Sequence, residues 1–268
     1  MKPKIFWVKR EDLPMSRIWF MDYLAKKFEL VEDPQKAEFI IVLGGDGTMI
    51  KAVREFWEPT LAGDDWPKFF GINFGHVGFL LNDPNVQSLE ELANGKVNLI
   101  RARLLHAHLY GKNGKLLSTE YALNDFYFER ASKETAKVRV TVNDTVYRNR
   151  LICDGMIVAS PVGSTAYNAA ARGSILPIDN NAMVLTSICP ALFGNWHNAI
   201  LPQGTKVVLE ALETERNPVR FLAEGVEVPN VVRAEIGLSE KFATLAFAQS
   251  QDFRQKVLRL QLRESLKE

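Results

Sequence analysis

A chain of 268 residues with 47% hydrophobic and 24% charged residues can bury one large core or two smaller ones, and two domains are expected. A net charge of +1 supplies no global field to attract nucleic acid or an anionic membrane, so the expected partners are small molecules. The only cysteines, Cys153 and Cys189, are too far apart in sequence for a metal pair, which argues against a disulfide scaffold and fits a reduced, cytoplasmic setting. No stretch reaches membrane-spanning length, and the apolar run behind the basic N-terminus is too short for a signal peptide.

Residues 4–8 form a short β-rich run. Ile18, Met21, Leu24, Ala25 and Phe28 then recur at helical spacing behind Ser16, which suits an N-cap, so a first βα unit is expected. The continuously apolar run 39–43 reads as a strand of a parallel sheet covered on both faces. It runs into Gly44-Gly45-Asp46-Gly47-Thr48, and a helix-compatible stretch follows from Met49 to Phe56. Glycines there permit positive φ and let a ligand lie against bare backbone, while the amides of the helix start face outward beside the positive end of its dipole. Such a turn suits phosphate. Asp46 would repel a phosphate if it were only a neighbour, so it is expected to take a proton from a hydroxyl nucleophile or to hold a cation. The bland alternative is a tight turn closed by glycines.

A third strand, 68–73, leads into a second Gly-rich loop, Phe74-Gly75-His76-Val77-Gly78-Phe79. Ser88 with Glu91 reads as a capping box, and Gly95 stops that short helix. From Val97 the period changes to alternation. Hairpin signals follow at residues 111–114 and 143–144, with strand-like runs at 156–159, 182–188, 205–211, 218–223, 230–236 and 241–248. Residues 252–266 return to helical spacing through Phe253, Val257, Leu258, Leu262 and Leu266. The expected fold is therefore α/β: a Rossmann-like domain at 1–97, a β-rich, sandwich-like domain at 98–250, and a C-terminal helix at 251–268 packing back on the first domain.

Within the β-rich part, one helix is expected after Gly163. Ser164 and Thr165 offer hydroxyls and amides at its start, Ala166 leaves room for a flat ring, and Tyr167 or Asn168 can stack or present an amide edge, so a nucleoside would fit. Read alone, the stretch could equally be a Ser-capped helix. Asn124-Asp125 combines an amide with a carboxylate able to hold sugar hydroxyls, although Asn-Asp is also a common turn; Asp154 shares that ambiguity. His76, His106, His108 and His197 lack zinc-site spacing, and no residue is assigned as a protein ligand to a metal. No Gly-Lys-Ser/Thr phosphate loop is present.

In order, Gly44 to Thr48, Gly71-Ile72-Asn73-Phe74-Gly75-His76-Val77-Gly78-Phe79, Asn124-Asp125, Cys153-Asp154-Gly155 and Gly163-Ser164-Thr165-Ala166-Tyr167 resemble the NAD kinase family. The glycine turn alone is shared with lipid, sphingoid-base and phosphofructo-kinases; the ordered set is specific to the family. The resemblance implies an ATP-dependent transfer to the 2′-hydroxyl of the adenosine ribose of NAD, with Asp46 as base. Gly44, Gly45, Gly47 and Thr48 would cradle ATP phosphates. NAD would meet Asp46, Gly47, Phe79, Asn124, Asp125, Asp154, Ser164, Thr165, Ala166, Tyr167, Asn168 and Glu224. Mg²⁺ would accompany ATP, and a homodimer or homotetramer is implied.

The chain departs from the family pattern at named places. Asn124-Asp125 stands for Asn-Glu, Ala223-Glu224-Gly225 for Val-Asp-Gly, and Pro190-Ala191-Leu192-Phe193 for Pro-His-Ser-Leu, while Arg172 replaces a glycine. These mark a divergent member. The rival readings are a lipid or sphingoid-base kinase sharing the glycine turn, and a non-catalytic dinucleotide sensor.

Overall fold

The computed structural model describes residues 2–15, 20–57, 67–75, 78–191, 198–251 and 258. The chain divides into two compact units, Met1–Ala102 with Lys241–Glu268, and Arg103–Glu240. The helical spacing at 252–266 lies outside the described residues apart from Leu258.

The first unit is a parallel sheet built from β1 (Lys4–Lys9), β2 (Glu29–Leu30), β3 (Phe39–Gly44) and β4 (Lys68–Asn73) in the order β2-β1-β3-β4. The far end of β16 (Arg233–Ala248) runs parallel beside β4, with Leu245 opposite Phe69. Every residue of β3 is buried, as continuous apolarity demands. Ile41 and Leu43 face a core completed by Leu24 and Phe28 around α1 (Met21–Lys27) and by Leu89 and Leu92 of α3 (Val86–Ala93). On the other face α2 (Asp46–Phe56) buries Met49, Ala52 and Val53, and its Phe56 ring meets Phe6 of β1 edge-on at 5.5 Å. Each such fully buried aliphatic side chain contributes about 1.5–3 kcal/mol. Fully buried Asn82 ties the sheet across its chain ends, donating to the carbonyls of Gly71 and Ala246 and accepting from the amide of Ala248.

Two caps differ from expectation. Ser16 lies outside the described residues, and α1 starts behind Phe20, which makes no side-chain cap bond. Ser88 is not the cap of α3; Asn85, extended at φ −132°, accepts from both the Ser88 amide (2.8 Å) and the Ser88 hydroxyl (3.0 Å). Asn85 caps because it stands just outside the helix, where its Oδ1 reaches the amide of the third helical residue, and that residue is Ser88 itself.

The second unit is a sandwich of two sheets. One contains β6 (Leu116–Ala122), β8 (Ala136–Val142), β9 (Thr145–Cys153), β13 (Lys206–Ala211), and the parts of β5 (Val97–Tyr110) and β16 that fall in this unit. The other has the order β12-β11-β10-β7-β14-β15, made of β7 (Asp125–Arg130), β10 (Gly155–Ala159), β11 (Ala182–Ile188), β12 (Asn198–Pro202), β14 (Val219–Ala223) and β15 (Val226–Val228). Alternating residues from both inner faces meet in one core: Leu105, Val140, Leu209 and Ile236 against Phe126, Phe128, Met156, Leu185 and Phe221. The runs at 230–236 and 241–248 belong to one strand, β16, because nothing between them breaks extended backbone; Gly237 sits inside it.

Register decides what gathers at one end of the second sheet. Ala159 of β10 stands opposite Asp125 of β7, and Ala223 of β14 opposite Phe126. The end of β10, the start of β7 and the turn after β14 therefore share one edge.

Candidate active site

In the first unit, β3 ends at Gly44 and α2 begins at Asp46 with extended Gly45 as its N-cap (φ −119°, ψ −173°). A Cβ on Gly44 would stand 2.3 Å from Thr48 Oγ1, so only glycine lets the helix turn back this closely. The Thr48 hydroxyl accepts from the Gly45 amide at 3.4 Å, and the Thr48 and Met49 amides both donate to the Gly45 carbonyl. The amides of Asp46 and Gly47 have no hydrogen-bond partner among the described residues, and Gly47 is exposed. Those are two outward donors at the positive end of an 11-residue helix.

The Asp46 carboxylate bridges the glycine turn to the second Gly-rich loop: Phe79 N–H donates to Oδ2 at 3.0 Å and Leu80 N–H to Oδ1 at 2.7 Å. Each oxygen keeps a further lone pair. His76 and Val77 of that loop lie outside the described residues.

A cleft of about 650 Å³ opens beside this turn, lined by Trp7, Lys9, Arg10, Gly47, Thr48 and Lys51 among others. It lies where β1 and β3 diverge to opposite sides of the sheet, the topological switch point at which open α/β sheets take their ligands. Its cations are held in pairs, Arg10 Nε to Asp12 at 2.5 Å and Lys51 Nζ to Glu11 at 3.0 Å. Lys9 Nζ instead donates to the carbonyls of Arg10, Glu11 and Leu13. Arg10 after a strand and Lys51 within a helix carry no motif in the sequence; the cleft beside the glycine turn brings them together.

In the second unit, Asn124 and Asp125 sit at the shared sheet edge. Glu224 Oε1 accepts from the amides of Leu123 (2.5 Å) and Asn124 (2.8 Å), and the Glu224 amide donates to the Asp125 carbonyl at 3.1 Å. From the other side Ser160 N–H donates to the Asn124 carbonyl at 2.8 Å, and the Ser160 hydroxyl donates to the Leu123 carbonyl and accepts from Gly163 N–H. A Cβ on Gly163 would meet the Asn124 carbonyl oxygen at 2.1 Å. The backbone of Asn124 is thus gripped on three sides, while its Oδ1 is buried with no partner among the described residues. Asp125 is 4% exposed; burial first, and the Glu224 charge second, push its carboxyl up to about 7.

The segment after Gly163 is a short 3-10 turn, Gly163–Thr165, followed by α4 (Tyr167–Ala170). Ser164 and Asn168 are fully buried and act as internal ties: the Ser164 hydroxyl donates to Pro161 O and accepts from Leu176 N–H, and Asn168 bridges Ser164, Ser174 and Thr186. Ser160, not Ser164, receives the amide that opens the turn. The Thr165 hydroxyl donates to Val162 O, and Thr165 and Ala166 are half-buried. Tyr167 is exposed and meets the ring of Tyr127 edge-on at 5.2 Å. Burial raises both phenols, Tyr127 to about 12. Tyr127 was missed because a strand aromatic reads as core.

Asp154 lies at the far end of β10 from Asp125 and is paired with Arg130 at 2.8 Å. The five-residue strand separates the two acids by roughly 17 Å at about 3.4 Å per residue, with the Tyr127–Tyr167 pair contributed by neighbouring elements. Arg172, where the family has glycine, takes left-handed backbone at φ +63°. The position keeps the conformation that favours glycine and accepts its cost.

An α/β unit followed by a β-sandwich is a fold that recurs in solved structures. Yeast NADH kinase complexed with NADH is similar over 100% of this chain and 89% of its own, with a TM-score of 0.82 at 18% identity. The NAD kinase of Archaeoglobus fulgidus in complex with ATP is similar over 95% and 98%, with a TM-score of 0.72 at 24% identity. In sequence, the N-terminal domain of ATP-NAD kinases matches residues 21–98 and the C-terminal domain matches residues 123–233. The NAD kinase of Brucella melitensis is 32% identical over 85% of this chain and 86% of its own, and that of Rhizobium meliloti 36% identical over 78% of each. The chain belongs to the NAD kinase family.

Proposed function

We infer that the chain transfers the γ-phosphoryl group of ATP to the 2′-hydroxyl of the adenosine ribose of NAD, giving NADP. The observation that carries the reading is Asp46, a carboxylate oriented by two amides, with lone pairs to spare, beside two unpartnered amides at a helix start. As the hydroxyl attacks, Asp46 takes its proton, which contributes about 10²–10⁴-fold. Donor phosphates rest on the amides of Asp46 and Gly47 and the Thr48 hydroxyl, with Gly44 and Gly45 shaping the turn. Arg10 and Lys51 exchange their exposed carboxylate partners for phosphate oxygens, charge-assisted bonds that offset charge on the transferring group. Among the described residues no cluster of three metal-binding side chains exists, and Glu11, Asp12, Thr48 and Glu55 supply only scattered oxygens in the cleft. That donor set fits Mg²⁺ carried mainly by phosphates and water. When bound, the ion neutralises phosphate charge.

In the second unit, the unpartnered Asn124 Oδ1 and the Asp125 carboxyl suit hydroxyl or amide donors of a nucleoside, Tyr167 offers a ring face, and Asp154 marks the other end of an extended ligand. Phe79 serves through its amide on Asp46. Ser164 and Asn168 support this surface from inside. A reduced, cytoplasmic setting is supported by the free cysteines, Cys153 buried and Cys189 exposed; no described helix is long and apolar enough to cross a membrane. Assembly into a homodimer or homotetramer is supported by exposed Val146 and Tyr147 on β9 and Ile200 on β12, and light scattering tests it.

The deciding experiment follows NADP formation from NAD, ATP and Mg²⁺ through an NADP-specific dehydrogenase, with Asp46→Asn alongside. Turnover in the wild type alone supports reaction and base together. NAD binding without turnover in either protein replaces the reading with a sensor.

A further inference from the structure

The turn that carries Asn124 and Asp125 is held by a residue on another strand connection. Glu224 stands in left-handed backbone (φ +52°) at the head of the β14–β15 hairpin, followed by Gly225 at φ +78°. Positive φ at both turn positions is the geometry of a two-residue hairpin, normally given to Asn, Asp or Gly, so a glutamate there carries strain that its side chain must offset. Its Oε1 takes two amides, those of Leu123 and Asn124. Its own amide extends the β7–β14 ladder to Asp125, which makes Glu224 and Asp125 direct cross-strand neighbours of like charge. No group among the described residues hydrogen-bonds the Asp125 carboxyl. One acid is committed to the backbone and the other is left for a ligand.

The two acids also differ from the family pattern in opposite senses. Asp125 is one methylene shorter than the Glu of Asn-Glu, and Glu224 one longer than the Asp of Val-Asp-Gly. A longer side chain at 125 would advance its carboxylate along the same edge that Glu224 crosses to reach the two amides. A shorter one at 224 would withdraw from those amides and free the turn. We propose that Glu224 is the positioning residue of the nucleoside site, and that the lengths of Glu224 and Asp125 are coupled, so that each is functional only with the other. The inference rests on the NAD-binding reading of this surface.

The test measures NAD affinity by calorimetry and the KM for NAD and kcat across pH 6–9, in wild type, Asp125→Glu, Glu224→Asp, the double exchange and Glu224→Gln. The single exchanges are expected to raise Kd and KM for NAD about tenfold while changing kcat less than about threefold; the double exchange should return within about threefold of wild type. Glu224→Gln keeps an oxygen for both amides and removes the charge. The groups facing Asp125 are then Tyr127 of β7 and Tyr167 of α4, neither charged in this range, so the midpoint of the KM profile should move to lower pH. A purely structural glutamate would show no split between KM and kcat in Glu224→Asp and no rescue in the double exchange. Double-exchange losses equal to the product of the single ones, or an unmoved midpoint in Glu224→Gln, overturn the proposal. If an exchange variant fails to fold, Glu224→Gln still decides. Failure of wild-type protein to bind NAD sinks the reading of the site itself, whereas binding without turnover leaves the coupling measurable through Kd.

Discussion

The two candidate sites offer opposite means of recognition. At the glycine turn the donors are mostly backbone amides, and the nearby cations already hold carboxylates in exposed pairs. At the Asn124–Asp125 edge the groups on offer are side-chain oxygens: Asn124 Oδ1 is buried without a partner among the described residues, and the Asp125 carboxyl belongs to a residue only 4% exposed. Exposed ion pairs cost little to exchange, so the first site suits a charged group that many molecules share. Unpaired buried oxygens are expensive unless a matching donor arrives, so the second suits discrimination.

The sharpest break of this contrast is Asp46→Asn. It should lower kcat about 10²–10⁴-fold with NAD affinity within a few-fold, because the amide lacks the base and presents an N–H toward Phe79 or Leu80. Unchanged turnover would remove Asp46 from the chemistry. Next, Arg10→Ala and Lys51→Ala should each raise the KM for ATP about tenfold and leave that for NAD alone, with the melting temperature nearly constant; a rise in the NAD value instead would erase the division between sites. Gly163→Ala, which sets a methyl against the Asn124 carbonyl, should destabilise by about 1–3 kcal/mol in calorimetric unfolding and weaken NAD more than ATP. Equal losses for both ligands would count against a site-specific effect.

The smallest expected effect is on stability against pH. The Asp125 carboxyl is raised in the folded protein, so that state binds more protons than the unfolded chain between about pH 4 and 7. Stability from this group is present below about pH 4, falls as pH rises toward about 7, and is level above. Asp125→Asn should flatten that part of the curve, and an unaltered slope would mean that the carboxyl ionises freely.

Much of the first unit was legible in sequence because its signals are local. An apolar run covered on both faces, a glycine turn and a helix fix β3, Gly44 to Thr48 and α2 without reference to distant residues. The sandwich was legible as a class from alternation and turn residues. What stayed hidden depends on register: Glu224 meets Leu123 and Asn124 across about a hundred residues, and Ser160 reaches the same turn from a third strand. Ser164 and Asn168 show the same limit, since polar residues after a glycine look equally suited to a ligand or to an interior tie. The assignment of Ser88 as a cap failed for a smaller reason: two competent caps stood three residues apart, and the earlier one, Asn85, accepts from both the amide and the hydroxyl of Ser88.

Lys9 gives the loop after β1 an unusual independence. Its ammonium gathers three carbonyls, at 3.4, 3.3 and 3.0 Å, much as a calcium loop gathers its oxygens around an ion. The loop is a peptide chelate wound about its own permanent cation. Its shape should therefore be indifferent to divalent ions and chelators, so a magnesium titration of the protein reports on what the nucleotide brings and not on the folding of the cleft wall.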